Sequence, residues 1–151
     1  MRIESLSKNN IDDYIDYLKK GMSEEPEMMT AEAMDEKGIR DRVKDSFYMN
    51  TKSLLAFNDE EVVGRIEYHF YGCLQDGYRM CYVDWVYVLP EYRGKGVARE
   101  LFAAMEKDCK DNNINQYYLI RAANPAADKF YHGFSDAELS NEPILRREMS
   151  C

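Results

Sequence analysis

The sequence predicts an α/β fold: a mixed, mostly antiparallel twisted sheet with helices on both faces and one parallel strand pair. Three observations predict it. Between Ser53 and Val88, three β-type apolar runs are separated by short polar turns, as in an antiparallel meander. From Val97 the apolar period becomes helical, with Val97, Leu101, Met105 and Cys109 stacking on one face. A strand-like run then returns at Gln116, and a strand–helix–strand crossover pairs its strands in parallel with a right-handed connection.

The elements follow in order. Arg2 to Ser5 reads as a first strand, pairing at the edge of the meander. Ser7-Lys8-Asn9-Asn10 supplies capping residues, and Ile11, Tyr14, Ile15 and Leu18 fall at helical spacing. Gly21 is expected to end that helix, and Met22 to Pro26 to form a loop. A second helix is expected from a Thr30 cap to about Phe47, with Gly38 as a breaking point. Strands follow over Ser53 to Phe57, Val62 to Tyr71 and Arg79 to Val88. The crossover helix ends at Asn112-Asn113, and Gln116 to Ala122 is the next strand. A short helix is expected over Ala126 to His132 and a last strand over Ile144 to Met149. With 151 residues and no linker or repeat, the chain is expected to be a single domain.

Composition narrows the function. The net charge of −8 argues against nucleic acid, whose phosphates demand a basic surface. No apolar run approaches the ~20 residues of a membrane span, and the N-terminus has no apolar signal core, so a cytoplasmic location without membrane attachment is expected. The four cysteines form no C-x-x-C pair and the two histidines lie far apart, so no metal is expected. Glu24 to Glu36 carries six acids and no base. Such a run reads either as a solvated helix face or as a wall that attracts a cationic ligand.

The chemistry concentrates in Val83 to Phe102, VDWVYVLPEYRGKGVARELF. A strand meets Pro90, a glycine loop follows, and a helix begins. Gly94 and Gly96 let backbone N–H groups approach a ligand, and the helix start adds unpaired N–H groups and a positive dipole end. Arg93 and Lys95 add charge. The arrangement suits a phosphate or pyrophosphate. It fails the P-loop pattern, because Lys95 is followed by Gly96 in too short a loop. It also fails the dinucleotide pattern, because Arg99 stands where a third small residue belongs.

The segment Val86-Tyr87-Val88-x-Pro90-x-x-Arg93-Gly94-x-Gly96-x-Ala98 resembles the central motif of the GCN5-related N-acetyltransferase family, [QR]-x-x-G-x-[GA]. Downstream, Asn124-x-x-Ala127-x-x-Phe130-Tyr131-x-Gly133-Phe134 is similar to that family's closing segment, with the Tyr-to-Gly spacing two residues shorter. The resemblance implies the acyl-CoA N-acyltransferase-like fold, whose parallel pair splays to admit the cofactor. It implies acetyl-CoA as co-substrate and direct transfer of its acetyl group to a primary amine. Backbone groups of Val86, Tyr87 and Val88 would then bind the pantetheine as an added strand and polarise the thioester. The amides of Arg93, Gly94, Lys95, Gly96, Val97 and Ala98 would cradle the pyrophosphate. Asn124 would contact the CoA arm, and Tyr131 would return a proton to the leaving thiolate.

The attacking amine must lose a proton, since an alkylammonium of pKa ~10.4 is neutral in only about one molecule per 10³ near pH 7. Asp84 is the leading base, matching the glutamate that polyamine acetyltransferases of the family carry before the same segment. By simple alternation Tyr82, Asp84, Val86 and Val88 share one strand face, with Trp85 and Tyr87 on the other as core. Glu67 and His69, on the preceding strand, are reserve bases, and a bridging water is a further one. Met28, Met29 and Met34 read either as acceptor wall or as ordinary core. The leading expectation is an N-acetyltransferase for a small cationic amine such as a polyamine or amino sugar. A non-catalytic acyl-CoA-binding module and a protein or peptide N-acetyltransferase stand as alternatives. Small members of the family often dimerise, so a homodimer is a further expectation.

Overall fold

The computed structural model describes residues 1–29 and 31–149. The chain divides into two compact units, Met1–Leu119 and Ile120–Cys151. The first holds strands β1 (Arg2–Ser5), β2 (Thr51–Asn58), β3 (Glu61–Gly72), β4 (Arg79–Val88) and β5 (Gln116–Leu119), with helices α1 (Ile11–Glu24), α2 (Glu36–Arg42) and α3 (Val97–Asp111). The second holds helix α4 (Pro125–Tyr131). The sheet order is β1-β2-β3-β4-β5, antiparallel except for the parallel β4–β5 pair. The meander, the edge strand and the single parallel pair are thus as the sequence predicts.

Alternation along β3 assigns the two faces of the sheet. Arg65 hydrogen-bonds the Tyr14 hydroxyl of α1 at 2.7 Å, whereas the Tyr68 hydroxyl donates to Asp108 of α3 at 2.7 Å. Helices α1 and α3 therefore cover opposite faces. Against α1, the core comprises Ile11, Tyr14, Ile15 and Tyr17 with Leu55, Phe57, Val62, Tyr87 and Leu89. Toward α3, Cys81, Leu101, Phe102 and Met105 are fully buried or nearly so, and the Cys81 and Met105 sulfurs lie 3.9 Å apart. Burying each such large side chain stabilises the fold by roughly 1.5–3 kcal/mol. No helix among the described residues is long and apolar enough to cross a membrane.

Four expectations are corrected. Helix α1 runs through Gly21 to Glu24. A Cβ on Gly21 would lie 2.4 Å from Met29 Cε and 3.1 Å from Tyr87 Cε1, so this glycine serves close packing rather than helix termination. The second helix is only Glu36–Arg42, capped by Asp35, whose carboxylate accepts the Gly38 N–H; Gly38 lies in the first turn and breaks nothing, and Thr30 lies outside the described residues. Strand β5 stops at Leu119, where its ladder with β4 stops. Residues 144–149 form no strand. Their unit contains no strand among the described residues with which they could pair, and Ile144, Leu145 and Met149 are exposed.

Candidate active site

Strand β4 carries a bulge. Glu67 pairs with Trp85 and Tyr68 with Val83, leaving Asp84 as an extra residue with no partner on β3. A bulge re-aims side chains and shifts the alternation by one. Before it, Cys81 and Val83 face α3; after it, Val86 and Val88 do, opposite Ile66 and Gly64. Tyr82, Asp84, Trp85 and Tyr87 therefore share the α1 face with Arg65, Glu67 and His69. The simple alternation that grouped Asp84 with Val86 and Val88 is corrected here, as is the placement of Trp85 and Tyr87 opposite Asp84. Both remain packing residues: Tyr87 belongs to the α1 core and Trp85 is packed against it.

The same bulge ends the β4–β5 pairing, whose last register is Val83 with Leu119. From Trp85 to Val88, β4 pairs only with β3 among the described residues. The Leu89 N–H donates to Val63 C=O at 2.9 Å, which sets the ladder's parity. Residues 87 and 89 aim their backbone groups at β3, and Val86 and Val88 aim theirs away from it. Tyr87 offers less to a ligand: its ring lies in the core, and its C=O accepts the Tyr17 hydroxyl at 2.9 Å.

At the bulge three polar side chains converge. His69 Nε2 lies 3.6 Å from Asp84 Oδ2. Ligand-capable atoms of Glu67, His69 and Asp84 all fall within 4.8 Å of one another. Each of the first two is held from behind. His69 Nδ1 sits 3.3 Å from Thr51 Oγ1, and its ring stacks on Tyr82 with centroids 6.4 Å apart. Glu67 Oε2 accepts from Ser53 at 2.8 Å and from Arg65 at 2.9 Å. Asp84, half exposed, completes the group from the solvent side.

Past β4 the chain makes a 3-10 turn over Pro90–Tyr92 and enters the glycine loop. Gly94 and Gly96 have φ of 73° and 87°, and nothing lies within 4 Å of a Cβ at either. Backbone conformation, not crowding, requires glycine there. Arg93 N–H is taken by Pro90 C=O at 3.2 Å, but no acceptor among the described residues takes the N–H groups of Gly94, Lys95, Gly96, Val97 or Ala98. With the start of α3 behind them, this donor set suits an anion.

The Arg93 side chain turns away from that loop. Its Nε donates to Val88 C=O at 3.0 Å, and its two terminal nitrogens grip both oxygens of Glu25. Glu25 also accepts the Tyr87 hydroxyl at 2.9 Å. The guanidinium, reinforced by that hydroxyl and opposed by burial, holds the Glu25 carboxyl below the usual range. Lys95 Nζ rests 5.1 Å from the Tyr92 ring centroid. Sequence reasoning missed Glu25, because nothing marks it within its acidic run. It also missed Thr51 and Ser53, whose partners lie on another strand.

In the second unit, Asn124 caps α4, its Oδ1 accepting the Ala127 N–H at 2.8 Å. The helix is short, as the clipped Tyr-to-Gly spacing implies. Tyr131 closes it within an aromatic cluster, 5.2 Å from Phe130 and 6.3 Å from Phe134 between centroids. Burial pushes its phenol pKa up.

A strand freed beyond a bulge and a glycine turn of open amides together define a class of acyl-group transferases, and comparison with known proteins bears this out. The Acetyltransferase (GNAT) family model matches residues 14–134, so the chain belongs to that family. Members of the family use acetyl-CoA. The fold is similar to an aminoglycoside acetyltransferase from an uncultured soil metagenomic sample, solved with trehalose (TM-score 0.81, 13% identity, 99% of this chain and 96% of that one). It is also similar to a ribosomal-protein-alanine N-acetyltransferase from Brucella melitensis biovar Abortus 2308 (TM-score 0.74, 20% identity, 97% and 100%). A transcriptional regulator from Bacillus halodurans C-125 shares the fold as well (TM-score 0.76, 17% identity, 97% and 99%). Identities this low carry the fold and not the substrate. No curated protein matches the sequence significantly.

Proposed function

We propose that the protein is an acetyl-CoA-dependent N-acetyltransferase acting on a small primary amine that carries positive charge. The observation that carries this reading is the continuity of β4: polar side chains at its bulge, outward-aimed backbone at Val86 and Val88, then open amides from Gly94 to Ala98. Acetyl-CoA supplies the acetyl group as a thioester. In this reading Val86 and the N–H of Val88, whose C=O is taken by Arg93, hold the pantetheine by strand-like hydrogen bonds, and the glycine turn holds the pyrophosphate. Asp84, with Glu67 and His69 beside it, forms the basic end that draws a proton from the amine. Tyr131, kept protonated by burial, is assigned the proton donor to the departing thiolate. Asn124 is assigned to the CoA arm through its amide nitrogen, since its oxygen is spent on the cap.

A small acceptor, rather than a nucleic acid, fits the net charge of −8 and the carboxylates at the bulge. The test is release of free CoA from acetyl-CoA with polyamines, amino sugars and lysine- or alanine-terminated peptides. Turnover is expected with the small cationic amines. Asp84→Asn is expected to lower kcat/KM by about 10²-fold with the fold intact. Tight acetyl-CoA binding with no turnover of any amine would instead favour a binding module, and turnover confined to peptides a protein-acetylating enzyme.

A further inference from the structure

Resting on that reading, we infer that a shelf of tyrosines beside the bulge binds a second cationic group of the acceptor, so that the protein selects diamines over monoamines. Register builds the shelf. Tyr82 pairs with Tyr118 of β5, and Tyr71 with Met80, all on the face that carries Asp84. The Tyr82 and Tyr118 ring centroids lie 5.2 Å apart, and the Tyr71 hydroxyl donates to that of Tyr118 at 2.8 Å. The rings thus lie side by side across β3, β4 and β5. None of them belongs to the α1 core, and Tyr71 and Tyr118 are 47% and 41% exposed. Contiguous aromatic surface left open beside a site marks a contact surface.

The character of the face decides what it contacts. Tyrosine rings are negative on their faces and attract an ammonium within ~6 Å of the centroid. On this face of β3, β4 and β5, Arg65 is the one lysine or arginine among the described residues, and its guanidinium is held by Tyr14 and Glu67. Arg79, at the start of β4, faces the other way and donates to Asn112 C=O at 2.9 Å. No fixed cation of this face therefore competes for the rings, and the net charge of −8 favours a cationic visitor.

Spacing sets the length of the acceptor. Tyr118 lies one strand over from β4 and level with Tyr82, two residues before Asp84. That offset is ~4.8 Å across and ~6.8 Å along the strand, or about 8 Å on the diagonal. An extended five-carbon diamine covers this span, with one nitrogen at the Asp84 end and the other over the rings. The shelf lies away from the reacting nitrogen, so it acts on binding of the acceptor and not on the chemical step.

The test is calorimetric titration of the full-length protein with 1,5-diaminopentane, pentylamine, 1,3-diaminopropane, propylamine and (5-aminopentyl)trimethylammonium. The long diamine is expected to bind about 3- to 30-fold tighter than pentylamine. The quaternary analogue is expected to share that gain, because a cation over a ring needs no N–H. The short pair controls for bulk charge and is expected to show a smaller gain. Tyr118→Leu is expected to bring the long diamine's gain down toward that of the short one, and Tyr118→Phe, which keeps the ring, to retain it, with the thermal midpoint reporting an intact fold. A long diamine that gains no more than the short one, a gain that survives Tyr118→Leu, or a quaternary analogue without the gain would each overturn the shelf. An equal gain for 5-phenylpentylamine would overturn it as well, by showing that the rings stack on rings. Acetyl transfer is scored separately by release of free CoA. Turnover of pentylamine and 1,5-diaminopentane with equal KM sinks the shelf and spares the proposed activity, whereas selective diamine binding without turnover does the reverse.

Discussion

Arg93 shows how one side chain can be recruited for architecture inside a ligand motif. Its motif position promises charge for a phosphate, yet its guanidinium spans Val88 C=O and Glu25 and fixes the exit of β4. Glu25 has its pKa lowered in the folded state by Arg93, so the sign of its pH dependence is set. Its contribution is complete above the unfolded carboxyl value of ~4.3 and fades as pH falls through the lower folded one. Glu25→Gln is expected to destabilise the protein by about 1 kcal/mol at pH 7, a figure kept small by solvent screening. The gap from the parent should close as pH drops toward 3. Denaturant titrations of both proteins at several pH values check this, and a gap constant with pH would refute the assignment. The glycines, by contrast, were legible in sequence: positive φ at Gly94 and Gly96 is what a strand-to-helix turn of this brevity demands.

At the scale of the element, the bulge at Asp84 organises the site. One extra residue lets β4 bury Cys81 and Val83 against α3 and, further on, Tyr87 against α1. Asp84 keeps the face of Tyr82, which pairs with His69, and the bulge brings Trp85 to that face beside it. Deleting Asp84 would remove the extra residue and restore simple alternation with every other residue of β4 on its present face. The deletion is therefore expected to keep the core packing and, like Asp84→Ala, to cost under ~1 kcal/mol. Thermal melts of the two variants check this; a deletion that costs several kcal/mol more than Asp84→Ala would mean that the bulge itself holds the strand's packing. The run RMCYVDWVYV reads as a strand with correct ends but carries no mark of the extra residue. Period-two patterning assumes an uninterrupted ladder, and only the register against β3 reveals the interruption. The grouping of Asp84 with Tyr82 therefore held, as did the strand's bounds, while that with Val86 and Val88 failed.

At the scale of the molecule, the net charge of −8 and the acid-rich run Glu24 to Glu36 create a field that draws in cations. For a cationic acceptor, kcat/KM is expected to fall severalfold as ionic strength rises from ~0.01 to ~0.15 M, where the Debye length shortens from ~30 to ~8 Å. A neutral amine of similar size should respond little. Steady-state rates across a salt series decide the matter, and a flat response for both would remove long-range attraction from the account. Net charge needs only the sequence; where the field converges depends on which carboxylates the fold brings together.

By itself the sequence determined the strand–helix order as far as α4, the parallel pair, the glycine turn and its likeness to one family. These are set by local patterns: period two, period 3.6, and residues with special backbone freedom. Tertiary structure alone decided the β4 bulge, the Glu25–Arg93 lock and the meeting of Glu67, His69 and Asp84. Each depends on registers and contacts between residues distant in the chain. Such contacts form where buried polar groups must find partners, and no local pattern encodes which partners those are.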